Sequence, residues 1–197
     1  KAMLARLTAF AVEARPEDAS AAAVSARVRL AEQLAQLQLY AVLSPLEKLY
    51  ARPEKPVKIA VLSAMQTLFF KRSFVTVRQG LREGDSAVVE QGCRAVESLT
   101  FPHAFDPLAS IVRESPQANV RASALRALAK VDTVEAAEFL LGVLEHGAPG
   151  DRGAAMEGLK RSRAARFIDL ARQQVATAQP ELQKSLREVL RARGVAA

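Results

Sequence analysis

"NVRASALRALAK" (residues 119–130) sets small alanines among larger apolar residues and arginines. Ala and Leu are strong helix formers and the apolar positions recur three and four apart, so the stretch predicts an amphipathic helix. Whether it is one helix among others or one copy of a repeated unit decides the fold. Sliding the segment along the chain gives the answer. "ASALRAL" (122–128) aligns with "LSAMQTL" (62–68), "CRAVESL" (93–99) and "GAAMEGL" (153–159). Each closes on a leucine, and Leu37, Leu68, Leu99, Leu128, Leu159 and Leu190 follow one another at nearly equal steps. The step is about 30 residues, within the range of repeat architectures. Four positions ahead stands a small residue, Ala64, Ala95, Ala124 or Ala155, followed by the larger Met65, Val96, Leu125 or Met156. A fixed period of this length predicts stacked helical hairpins, because one hairpin cannot bury its apolar face alone and its neighbours must cover it. Small residues at a fixed place let the stacked backbones approach.

Turn-forming residues fall once within each unit and once between units. Pro102 and Pro107 suit a helix start and Ser115-Pro116 a stop. "DTVEAAEFLLGVLEHG" carries an N-cap at Asp132 or Thr133 and ends at Gly147. "SRAARFIDLARQQVATAQP" runs to a break before Pro180, "KRSFVTVRQGLREGD" ends at Gly84, and "PLEKLYARPEKP" (45–56) is a short first helix. Upstream, "MLARLTAFAVEA" (3–14) and a longer helix beginning near Asp18 make a further pair. About six hairpins result.

"NVRASALRALAKV" followed by "VEAAEFLLGVLEHG" resembles HEAT repeats of the bacterial, short-repeat kind. In that family a Val-Arg pair opens the second helix. Val120-Arg121 matches the pair and Asp151-Arg152 matches half of it, whereas Gln91-Gly92 and Ala60-Val61 depart from it. The resemblance implies an all-α fold, a right-handed α-α superhelix or HEAT-like, armadillo-like solenoid, with second helices lining the concave face. Residues 1–197 then form a single repeat domain: an N-terminal helical pair or cap (1–43), repeats (44–178) and a C-terminal capping helix (179–197).

Composition agrees with helices. Aromatic residues make up 5% of the chain and Trp is absent, so Ala, Leu and Val carry the packing. No sustained alternation of β-branched and polar residues predicts a strand. The net charge of +7 is unevenly spread. From Lys160 to Ala197 nine Lys or Arg stand against three acids, whereas residues 101–159 hold five against eight. A basic end of this kind attracts nucleic acid, an anionic membrane or an acidic protein, or is the solvated end of a helical stack. The single cysteine, Cys93, excludes an intramolecular disulfide framework and fits a reducing compartment, and the expected location is the cytoplasm. "IAVLSAMQTLFF" is too short and too polar to span a bilayer. The N-terminus lacks a cleavage site and an uninterrupted apolar core, so it does not read as a signal peptide. The start at Lys1 rather than Met reads as part of a larger chain. Arg far exceeds Lys, an association with GC-rich bacterial genomes.

Residues suited to catalysis are scarce. His103 lies beside Pro102 at a turn and His146 just before Gly147, where a helix C-terminus favours a partly charged imidazole, and neither has a second ligand at helical spacing. Cys93 falls at a packing position held elsewhere by Leu62, Ala122 and Gly153. "GAPGDRG" (147–153) lacks the Lys-Ser/Thr ending and preceding strand of a phosphate loop and reads as an inter-helix turn. No catalytic residue, metal or cofactor is expected.

The expected function is a non-enzymatic scaffold or adaptor that holds a protein partner on its concave face. Columns of equivalent residues run Gln66, Glu97, Arg126, Glu157, Glu188 and Val61, Gly92, Arg121, Arg152, Gln183. A third, Phe69, Thr100, Ala129, Lys160, Arg191, turns basic only toward the C-terminus. A nucleic-acid groove needs consistently basic columns, and mixed signs fit a protein ligand better. The candidate partner-binding residues are Arg121, Arg126, Arg152, Lys160 and Arg161, with Phe69 and Phe70 of "LFFKRSF" as anchors; those rings, with Phe74, otherwise plug the gap between helices. Leu30, Leu34, Leu37 and Leu39 serve as a terminal cap or dimer face, and Leu39, Tyr40 and Val42 suggest a further contact. The alternative is nucleic-acid binding through the basic hairpins of Lys160 to Arg193.

Overall fold

Capping residues and prolines divide the chain into short helices in the computed structural model, which describes residues 20–195. Among those residues there are eleven α-helices, two short 3₁₀ turns and no strand. They fall into two compact units that divide between Leu99 and Thr100. The first holds α1 (Ala21–Gln36), a 3₁₀ turn (Tyr40–Val42), α2 (Leu43–Tyr50), α3 (Lys55–Met65), α4 (Ser73–Gly80) and α5 (Ser86–Ser98). The second holds a 3₁₀ turn (Pro102–Ala104), α6 (Phe105–Glu114), α7 (Ala118–Leu128), α8 (Val134–His146), α9 (Pro149–Arg161), α10 (Ala165–Gln174) and α11 (Pro180–Ala192). The helix expected over residues 3–14, and Asp18, lie outside the described residues.

Local chemistry sets the boundaries. Ser20, Asp85 and Thr133 cap α1, α5 and α8 by accepting backbone N–H groups that have no partner within the helix. Pro149 and Pro180 are the first residues of α9 and α11, where a missing N–H costs nothing. This shortens the turn expected over "GAPGDRG": only Gly147 and Ala148 connect α8 to α9, and Pro149 to Gly153 begin the helix. Pro149 presets the helical φ there, and Asp151 in the first turn faces the positive end of the helix dipole. At the far end Gly194 takes φ 68°, and the Val195 N–H donates to the Leu190 carbonyl at 2.9 Å, closing α11.

Within each unit the hairpins stack by like helices. In the first, α1 packs on α3 and α3 on α5, while α2 lies beside α4. In the second, α7 packs on α9 and α9 on α11, while α6 and α10 flank α8. Among the described residues five hairpins are complete (α2/α3, α4/α5, α6/α7, α8/α9, α10/α11), and α1 packs as a further second helix. Leu68, Leu99, Leu128, Leu159 and Leu190 are fully buried, as are Ala95, Ala124 and Ala155. Burial stabilises each leucine by about 1.5–3 kcal/mol. Leu37, on the first second-helix, is half-buried. The small residues act by proximity: a Cβ built on Gly158 of α9 would lie 2.8 Å from the Ala129 Cβ at the end of α7.

Candidate functional site

Two second helices of the second unit, α7 and α9, carry all five of the expected cations. Four of the five expected cations there are tied to neighbours. Arg121 spans two elements: its Nε donates to both Asp151 oxygens at 3.1 Å, and its Nη1 donates to the carbonyls of Ser115 (3.2 Å) and Pro116 (3.0 Å). It therefore clasps α9 to the turn before α7. Arg126 donates to Ser123 Oγ at 3.2 Å and stands 3.7 Å from Glu157 of α9. Lys160 pairs with Glu188 of α11 at 2.5 Å and holds that carboxyl below its ordinary value. Arg161 pairs with Glu157 one turn back at 3.0 Å, but its side chain remains 79% exposed. Arg152, half-buried on α9, makes no side-chain hydrogen bond or ion pair among the described residues. The mixed signs on these helices are therefore largely lateral links between stacked neighbours, with Arg161 left exposed and Arg152 half-buried.

The first unit uses the same device more deeply. Arg27 of α1, with a side chain only 3% exposed, donates to Glu54 Oε1 at 2.6 Å, and Arg52 approaches the same oxygen at 3.4 Å. Burial pushes the Glu54 carboxyl up, but its own backbone N–H and the two guanidinium groups outweigh it and hold the carboxyl below its ordinary range. Lys58 donates to Glu83 at 2.6 Å and lies over the Tyr50 ring, while the Tyr50 hydroxyl donates to Glu83 at 3.1 Å. Burial and the adjacent carboxylate push the Tyr50 hydroxyl well above its ordinary value, and the Lys58 ammonium holds Glu83 low. Lys55 pairs with Asp85 at 2.9 Å and lowers it likewise. These shifted groups sit in ties between neighbouring helices.

The phenylalanines of "LFFKRSF" divide. Phe74 is buried in α4, as a packing residue should be. Phe70 is half-buried, edge-on to the Tyr40 ring at 5.4 Å. Phe69 is 57% exposed, as are Tyr40 (55%) and Leu39 (51%), whereas Val42, Leu30 and Leu34 are buried. Leu39-Tyr40 and Phe69-Phe70 stand one repeat period apart, at the same place in adjoining repeats. That spacing was available in the sequence as a sign that the two pairs form one surface. Arg72 and Glu47, which frame it, carry no such sign: they join at 2.6 and 2.8 Å from well-separated parts of the chain.

Cys93 is buried on α5. His103 lies in the second 3₁₀ turn, and His146 ends α8 at 3.4 Å from Glu145. Among the described residues no three of His, Cys, Asp and Glu gather as a metal-binding group, and no helix is long and apolar enough to cross a membrane.

In comparison with known proteins, the chain matches HEAT repeats over residues 74–160 and, in a second register, over 105–191. No curated protein matches it in sequence. Among solved structures, Cex1p is similar with a TM-score of 0.54 at 13% identity, over 96% of this chain and 43% of that one. A designed armadillo repeat protein in complex with the peptide (KR)4 is similar with a TM-score of 0.47 at 14% identity, over 94% of this chain and 98% of that one. A second designed armadillo repeat protein gives 0.45 at 14% identity, over 94% and 99%. At these identities the likeness is one of fold.

Proposed function

The chain belongs to the HEAT-repeat family, and from that premise we propose that it is a non-enzymatic scaffold holding a protein partner along its second helices. One observation carries the reading. On α7, α9 and α11 the pairs Arg121–Asp151, Arg126–Glu157 and Lys160–Glu188 hold charged side chains of neighbouring second helices in a fixed pattern, beside which Arg161 is exposed and Arg152 is half-buried with no ion pair among the described residues. A preset surface of alternating sign gives specificity for a complementary protein face. The non-enzymatic part is supported by where the shifted titratable groups stand. Tyr50, Glu54, Glu83, Asp85 and Glu188 all lie in inter-helix ties, whereas acid–base catalysis needs such groups to converge on a substrate cleft. The single cysteine, buried, supports a reducing compartment such as the cytoplasm.

The second reading, nucleic-acid binding by α10 and α11, has its own support. Arg163, Arg166, Arg172, Lys184, Arg187 and Arg191 make no ion pair among the described residues, so the C-terminal excess of cations is uncompensated. Two experiments separate the readings. Titration with labelled duplex and single-stranded DNA at about 50 and about 200 mM salt should show no salt-sensitive binding if the scaffold reading is right. In co-purification with partner proteins, Arg152→Glu/Lys160→Glu/Arg161→Glu should lose the partner and Glu138→Lys, on the outer α8, should keep it. Micromolar DNA affinity that falls with salt and with the triple change would replace the scaffold by the nucleic-acid reading.

A further inference from the structure

Equivalent residues of a repeat compare directly, because each stands in the same place on the next hairpin. Arg121 and Leu125 on α7 have Arg152 and Met156 on α9 as their counterparts one repeat on. The two pairs meet different surroundings. Between α7 and α9 the arginine is spent and the leucine covered. Arg121 donates to both oxygens of Asp151 and to two backbone carbonyls, and Leu125 is fully buried. Gly158 and Ala129 bring these two helices into close approach.

The seam between α9 and α11 is different. These helices pack less extensively than α7 and α9. Met156 is half-buried where Leu125 is covered, and exposed Gly153 puts no side chain beside it. The place that Asp151 fills for Arg121 is filled for Arg152 by Leu182, which is apolar and buried. Among the described residues no carboxylate and no backbone carbonyl accepts from the Arg152 side chain. A half-buried guanidinium with five N–H donors has then given up hydration without a protein acceptor in return. Lys160, which reaches across the same seam, is held by Glu188, on which Lys184 and Arg191 also act. What the seam offers is one open guanidinium, with Met156 one helical turn further along. A nucleic-acid strand is held by several cations in succession, whereas one guanidinium beside a methionine matches one carboxylate on a short apolar stem.

We propose that Arg152 receives a glutamate or aspartate side chain of the protein partner, as Arg121 receives Asp151, with Met156 packing against the apolar atoms beside that carboxylate. The proposal rests on the scaffold reading and deepens it by naming the residue type that the partner presents to the α9–α11 seam.

Random peptides of about ten residues, selected on the full chain and counter-selected on Arg152→Ala, test this. Peptides that need Arg152 should share an Asp or Glu. Their affinity, by fluorescence anisotropy, should fall at least about tenfold with Arg152→Ala, the loss of a charged hydrogen-bonded pair. Changing the peptide acid to its amide should lose as much, and the two changes together little more, because both remove one contact. Arg152→Lys should recover only part, since an ammonium lacks the planar fork. Val134→Ser, an exposed residue on the outer α8, should bind as the wild type. Urea unfolding adds a readout that needs no ligand: Arg121→Ala should lower the midpoint and Arg152→Ala should leave it unchanged. A midpoint lowered as much by Arg152→Ala marks an arginine used by the fold and overturns the proposal. So do Arg152-dependent peptides without an acid, additive losses in the combined change, or a selection that yields no Arg152-dependent peptide. Co-purification separates these failures from a failure of the scaffold reading. A native partner, with further contacts along the second helices, should be weakened rather than lost by Arg152→Ala. A partner lost with Arg152→Glu/Lys160→Glu/Arg161→Glu but held by Arg152→Ala as tightly as by the wild type overturns the proposal alone. Salt-sensitive DNA binding that Arg152→Ala weakens overturns both.

Discussion

Gly158→Ala and Gly153→Ala change the same helix by the same methyl group and should move stability in opposite directions. At Gly158 an added Cβ would lie 2.8 Å from the Ala129 Cβ and 3.0 Å from the Arg126 Cα, which is backbone of α7. Carbon atoms rest at about 3.5–4.0 Å, so α9 must move away from α7 by several tenths of an ångström. Overpacking of this kind costs about 1–3 kcal/mol. Replacing glycine within a helix returns about 0.8–1 kcal/mol, leaving Gly158→Ala destabilised by roughly 1 kcal/mol. Gly153 is exposed and nothing lies within 4 Å of its added Cβ, so only the gain remains. The difference between the variants isolates the close approach of two second helices, because the propensity term is common to both. Urea unfolding followed by helical ellipticity measures it, with equal m-values required for the comparison. Adding Ala129→Gly to Gly158→Ala should recover part of the clash but not all, since the Arg126 Cα remains. If Gly158→Ala is as stable as Gly153→Ala, the small residues do not set the stacking distance and the reasoning fails.

Leu128→Ala removes a fully buried side chain and should cost about 2–5 kcal/mol, with amide exchange accelerated first in α6 to α9. Phe69→Ser should change stability by less than about 0.5 kcal/mol, an exposed-site effect, whereas buried Phe167→Ala should cost about 3–5 kcal/mol by thermal or urea unfolding. Glu54 is held below its ordinary value in the folded protein, so its contribution is present above the unfolded carboxylate range near about pH 4.3 and is lost as pH falls through the native value. Glu54→Gln removes the charged partner of the buried Arg27 and should cost about 1–3 kcal/mol at neutral pH. Its urea midpoint should then fall less than that of the wild type on acidification.

The repeat was legible because its signal is local. A leucine once in every repeat period, with a small residue four positions before it, marks a buried ridge, and the leucines from Leu68 to Leu190 are buried. Thr133 as a cap and Gly147 as a stop were legible for the same reason. The charged residues were harder to read. Arg121, Arg126 and Lys160 look like a surface when read along one helix, yet each pairs with an acid on the next second helix, one repeat further on. Such a pair depends on lateral spacing and side-chain reach, which helical periodicity does not encode. Opposite charges one repeat apart were nevertheless there to be found. Arg27 falls on the same face of α1 as Leu30, Ala31 and Leu34, and its charge is met there by Glu54 at the start of α3. Phe69, Phe70 and Phe74 are one apolar cluster in sequence, but the α4 boundary separates the buried ring from the exposed one.

Whether the second helices carry the partner is read most directly by site-specific photocrosslinking. A benzophenone amino acid is placed at Arg152 on α9 or at Glu138 on the outer α8, and the protein is irradiated among its native partners. A scaffold that binds through its second helices gives a discrete crosslinked protein from position 152 and none from position 138. Crosslinks from position 138 alone, or crosslinks at 152 to nucleic acid rather than protein, would contradict it.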